Sequence, residues 1–150
     1  TISNISIFAA TITTNSKSTN INLDRLKVLY NSHFVTLQSK DVIYSHINES
    51  GIRLMGPNSS IRNSIVEFSA GNGIVLGAGG CSAENNLIHD ISYGGTYCCA
   101  ILPAPGNARN TITHNTIYRT GRAGIDRICR RCASVRARSR RCARCRRGTS

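Results

Sequence analysis

Residues 61–76 read IRNSIVEFSAGNGIVL, and the reading of this stretch decides the fold. Asn63 stands two residues before Ile65, apolar and polar residues alternate through Ile61, Asn63 and Ile65, and a Gly73-Ile74 pair leads into a second alternation, Ile74-x-Leu76. Alternation is the period of a strand with one buried face. Working outward, the same order returns in SHINESGIRL (45–54), with Ser45 in place of Asn, and in NLIHDISYGGTYCCAIL (86–102), with Ala100 before Ile101. It returns again in NTIYRTGRAGI (115–125). The leading isoleucines, Ile47, Ile65, Ile88 and Ile117, lie 18, 23 and 29 residues apart, and the closing ones, Ile52, Ile74, Ile101 and Ile125, step by 22, 27 and 24.

A recurrence near 23–24 residues is too long for a hairpin and short for a helical repeat. The units are rich in Gly, Asn, Ser, Thr and Ile, all weak helix formers, so each is expected to be a coil of short strands separated by bends. Coils stacked at about 4.8 Å would pair each strand with its equivalents above and below. Inward isoleucines would then form columns that no single coil can bury. The expected fold is all-β, a parallel β-helix of about five to six coils over residues 1–126. NISIF (4–8), INLDRLKVLY (21–30) and FVTLQ (34–38) are strand-like and would supply the first coils. Asn63, Asn86 and Asn115 are expected to stack as an amide ladder at a bend. The glycines before Ile52, Ile74 and Ile125 are expected at backbone turns. With Ile65, Ile88 and Ile117 inward, three outward columns follow: Val66/His89/Tyr118, Glu67/Asp90/Arg119 and Arg62/Asn85/His114.

The net charge of +12 is unevenly placed. Residues 1–126 carry three Lys and six Arg against four Asp and three Glu, whereas residues 127–150 carry ten Arg and no acid. Ile and Asn make up 31 of the first 126 residues and 1 of the last 24. Two different physical objects therefore meet near Asp126. The Arg/Cys-rich tail has no hydrophobic period, and is expected to be disordered or the product of a shifted reading frame. Its Cys129-x2-Cys132 and Cys142-x2-Cys145 pairs also fit a small zinc site, and its arginines fit a nucleic-acid-binding arm. No apolar run approaches the roughly 18 residues a membrane helix needs, so no membrane partner is expected. The opening residues lack the order of a secretory leader, so any leader is expected to have been removed, and the chain is expected to be a piece of a longer solenoid. Cys81, Cys98 and Cys99 read as buried free thiols or as one pair that includes Cys81. His33 and His46 stand alone.

IRNSIVEFSAGNGIVLGAGG, ENNLIHDISYGGTY and NTITHNTIYRTGRAGI resemble the right-handed parallel β-helix repeat proteins of the pectin-lyase-like superfamily. The resemblance implies a right-handed solenoid in a secreted or periplasmic protein, acting as a monomer on an acidic polysaccharide. On its outer face, β-elimination needs a base, a positive charge to hold the enolate and an acid for the leaving oxygen. His89 would be the base, Arg119 the charge, Tyr97 the acid, and Asp90 the group that orients His89. Glycoside hydrolysis would instead use the carboxylates Glu67 and Asp90. Arg62, Glu67, His114 and Tyr118 would bind substrate. No cofactor or metal is expected, because seven scattered acids make no calcium cage. A non-catalytic glycan-binding scaffold fits the same surface.

Overall fold

The computed structural model describes residues 1–32, 50–94, 98–103 and 109–125. Among these it is a parallel β-helix of five coils, each contributing one strand to each of three five-stranded sheets. Sheet A stacks β1 (Ile2–Ser3), β4 (Asn22–Asp24), β7 (Ser60–Arg62), β10 (Ser82–Glu84) and β13 (Thr111–Thr113). Sheet B stacks β2 (Ser6–Phe8), β5 (Lys27–Ser32), β8 (Ile65–Ser69), β11 (Leu87–Ile91) and β14 (Thr116–Thr120). Sheet C stacks β3 (Ile12–Thr13), β6 (Ser50–Leu54), β9 (Asn72–Leu76), β12 (Cys99–Pro103) and β15 (Ala123–Ile125). NISIF and INLDRLKVLY supply strands of the first two coils, while FVTLQ, Ile47, His33, His46 and the Arg/Cys-rich tail lie outside the described residues.

The closing isoleucines meet as the period requires. Ile52 pairs with Ile74, Ile74 with Ile101, and Ile101 with Ile125, and the first three are fully buried. The leading set slips by one residue in the third coil. Ile88 pairs with Ile117 on one side, but on the other it meets Val66, while Ile65 pairs with Leu87 and faces outward. Val66 is fully buried and Ile65 half-buried. Side chains alternate along a strand, so a one-residue slip exchanges the core set for the solvent set. Val66→Ala is therefore expected to cost about 2 kcal/mol of stability, and Ile65→Thr less than about 0.5, by urea unfolding of the two variants.

The corners explain the abundance of Asn. Fourteen non-glycine residues have positive φ, and most of them fall in three columns, one per corner. Asn4, Arg25, Asn63, Asn85 and His114 turn the chain between sheets A and B. Ala9, just after β2, and Tyr30, Phe68, Asp90 and Arg119, near the ends of β5, β8, β11 and β14, bend the chain towards sheet C, and Asn20, Asn58 and Arg109, with Gly80, turn it before A. Most bends take a single left-handed residue, the one at the end of β11 taking two, Asp90 and Ser92, and Asn adopts this conformation more readily than most side chains. The glycines before Ile52, Ile74 and Ile125 do not make turns: they lie inside β6, β9 and β15. A Cβ on Gly73 would come within 2.7 Å of the Ala100 carbonyl oxygen, so close approach of neighbouring backbone selects glycine there.

The expected ladder of Asn63, Asn86 and Asn115 resolves into two. Inside the bend, the Asn86 Nδ2 donates to Asn115 Oδ1 at 2.9 Å, and the Ser64 amide donates to Asn86 Oδ1 at 3.0 Å. Ser64 occupies the place in the third coil that Asn holds in the next two; its Oγ accepts from the Leu26 amide at 3.0 Å. One residue outward, Asn85 Nδ2 donates to Asn63 Oδ1 and Asn63 Nδ2 to Asp24 Oδ1, both at 2.8 Å. Cys81, Cys98 and Cys99 are buried free thiols.

Candidate functional site

The slip in the third coil also re-sorts the outward columns. Val66 leaves the surface, and Glu67, His89 and Tyr118 pair in register across β8, β11 and β14. Phe68, Asp90 and Arg119 form the adjoining corner, and Asn63, Asn85 and His114 the opposite one. Of the residues singled out for catalysis, His89, Asp90 and Arg119 come together; Tyr97 lies outside the described residues.

His89 is the centre of this cluster. Its Nδ1 lies 2.7 Å from Asp90 Oδ2 and its Nε2 3.1 Å from Glu67 Oε2. A carboxylate offers acceptors only, so each contact is a hydrogen bond when that ring nitrogen carries its proton. Tyr118 stacks on the imidazole with centroids 4.7 Å apart, and Phe68 meets it edge-on at 6.3 Å. His89 is 7 % exposed, with both nitrogens engaged. A general base must face the proton it removes. In this arrangement the imidazole joins the third and fourth coils, and a solute meets Arg119 and Tyr118 first.

Arg119 donates from Nη2 to Asp90 Oδ2 at 2.6 Å and lies with its Cζ 5.1 Å from the Tyr118 ring centre. The Arg119 hydrogen bond, followed by that from His89, holds the Asp90 carboxyl below its usual value of 3.8. A carboxyl depressed on folding adds stability above its unfolded value, and that contribution is lost as pH falls through the folded one. The gap in melting temperature between the wild type and Asp90→Asn is therefore expected to be widest near neutral pH and to close below pH 3.8. Asn tolerates the left-handed backbone at this corner, so the comparison isolates the charge.

One signal that went unread in the sequence is a column of rings along the coils. Phe8, Tyr30, Phe68, His89 and Tyr118 follow one another with centroids 5.5, 4.8, 6.3 and 4.7 Å apart. The register that pairs Leu29 with Glu67 brings Tyr30 over Phe68, and the irregularity in β5 between Leu29 and Ser32 takes up one extra residue before Ser32 pairs with Ser69. Rings at that separation attract one another beyond the area they bury, so the column braces five coils from outside.

At the corner between sheets A and B, Arg62, Asn63, Glu84, Asn85 and His114 line an open groove of about 430 Å³. Two of the expected substrate-binding residues, Arg62 and His114, lie here, while Glu67 and Tyr118 lie with His89. The sequence assigns Glu84 no role and Asn63 only a place in the amide ladder, because the register that brings them to one groove depends on the slip. Among the described residues, no group of three His, Cys, Asp or Glu side chains is arranged to hold a metal ion. Comparison with protein-family models, curated proteins and solved structures finds no match to this chain.

Proposed function

We propose that the protein is a carbohydrate-active β-helix, of the secreted or periplasmic pectin-lyase-like kind, that acts as a monomer and binds an acidic polysaccharide on the outer face of sheet B. The observation that carries this reading is the Tyr118–Arg119 pair. The ring is 41 % exposed and the guanidinium side chain 63 % exposed, yet both are fixed, the ring on His89 and the guanidinium on Asp90. Arg has five donors, and those not taken by Asp90 suit a sugar carboxylate, with the tyrosine beside it to meet the apolar flank of the ring. Holding both groups in place before the ligand arrives lowers the entropy lost on binding.

Calorimetric titration with alginate, pectate and glycosaminoglycans tests this. Arg119→Gln is expected to weaken binding roughly tenfold and to flatten its salt dependence. Failure of every one of these polymers to bind the wild type would overturn the proposal. A lyase or hydrolase reading draws support from the two carboxylates, Glu67 and Asp90, set on opposite nitrogens of one imidazole. Its test is the appearance of unsaturated uronate ends or new reducing ends, abolished in Glu67→Gln.

A further inference from the structure

The groove between sheets A and B differs from the His89 cluster in one respect: of its polar lining groups only the Asn63 and Asn85 amides bond one another, and the charged ones are not spent across it. Among the described residues, the Glu84 carboxylate and the His114 imidazole, both exposed, make no hydrogen bond or ion pair. Asn85 uses its Nδ2 on Asn63, so its Oδ1 stays available, and the bond chain Asn85–Asn63–Asp24 fixes where that oxygen points. Asp24 is itself a firm anchor, 5 % exposed and also bonded by Arg62 Nε at 3.3 Å. That contact uses the Nε donor of Arg62, which lines the groove, and leaves the donors of its terminal nitrogens unused among the described residues.

The ligand class follows from the mixture. An anion would meet the Glu84 carboxylate, and a hard cation would find too few oxygens beside a guanidinium to fill the six to eight positions calcium takes. A sugar ring offers hydroxyls that donate and accept at once, and so matches acceptors and donors set side by side. We propose that this groove is a subsite for a neutral sugar ring, in which Glu84 and Asn85 Oδ1 accept from adjacent hydroxyls and Arg62 donates to ring or hydroxyl oxygen. The subsite rests on the carbohydrate reading above and extends it. His114 and Arg119 are five residues apart on one coil, about 16 Å at strand rise. The groove and the Tyr118–Arg119 pair would therefore hold different units of one chain laid across sheet B.

The test uses the full chain and a panel of neutral gluco-, galacto-, manno- and xylo-oligosaccharides. Binding is followed by the side-chain amide resonances of Asn63 and Asn85 and by calorimetry. At least one member of the panel is expected to shift those resonances. Glu84→Ala is expected to weaken its binding roughly tenfold, and Glu84→Gln, which keeps an acceptor, less. Glu84 is exposed and unbonded, so both variants are expected to melt as the wild type does. Unmoved Asn85 resonances throughout the panel, or equal affinity in wild type and Glu84→Ala, would overturn the subsite. So would a shift produced by calcium alone. Acidic-polymer binding that is lost in Arg119→Gln but indifferent to Glu84→Ala leaves the Tyr118–Arg119 reading standing and removes this one. Neutral-sugar binding with no acidic-polymer binding does the reverse.

Discussion

Ile74→Ala is expected to lower the unfolding free energy by about 3–4 kcal/mol, the middle of the range for a fully buried aliphatic side chain. Ile74 has no exposed surface and sits in register between Ile52 below and Ile101 above. A cavity there cannot collapse easily, because the strands on both sides are tied into sheet C by parallel ladders. The position in the stack adds to the effect. Stability in a solenoid is close to a sum of coil terms and nearest-neighbour terms, so a weak middle coil loosens two interfaces at once. Ile125→Ala, in the last described coil where the side chain is half-buried, is expected to cost about 1 kcal/mol. Urea unfolding followed by circular dichroism measures both. A loss at Ile74 no larger than that at Ile125 would show that the central column does not carry the core.

How much of this was legible beforehand depends on which residues set the register. The Gly-Ile and Ala-Ile pairs are spaced by coil geometry alone, and the column Ile52, Ile74, Ile101 and Ile125 could be read directly. The Asn-x-Ile signal misled at one coil because two residue types share a job. Ser64 makes the inner corner bond in the third coil, so the Asn beside it, Asn63, belongs to the outer ladder. Aligning Asn63 with Asn86 puts Ile65 in the core and Val66 on the surface, the reverse of the register in β8. The same error separated Glu67 from His89, two groups the structure brings to 3.1 Å. Left-handed backbone at Tyr30, Phe68 and Arg119 had no residue-type signal at all. It is imposed by the ladders on either side, as the Ala70 amide bonding to the Ser32 carbonyl just past the corner illustrates.

The inner corner ladder should matter nearly as much as the core. Asn86 is 2 % exposed, and its side chain serves three partners on the two neighbouring coils. Its Oδ1 accepts from the Ser64 amide at 3.0 Å, and its Nδ2 donates to the Ile61 carbonyl at 3.2 Å and to Asn115 Oδ1 at 2.9 Å. Asn86→Ala removes all three and leaves the Ser64 amide and the Ile61 carbonyl buried without those partners. Each such group costs about 1–3 kcal/mol, which sets the expected loss at about 3 kcal/mol. Asn86→Asp is expected to be at least as damaging, since a carboxylate accepts from Ser64 but has no donor for the Ile61 carbonyl and repels Asn115 Oδ1. Asn63→Ala tests the alternative that Asn matters here through backbone conformation alone. Asn63 is exposed and holds φ near 52°, so that change gives up a left-handed preference, an exposed bond from Asn85 and a part-buried bond to Asp24, about 1–2 kcal/mol. Denaturant unfolding of the three variants separates the mechanisms. Equal losses at positions 63 and 86 would mean that turn propensity, rather than buried amide pairing, fixes the corner between sheets A and B.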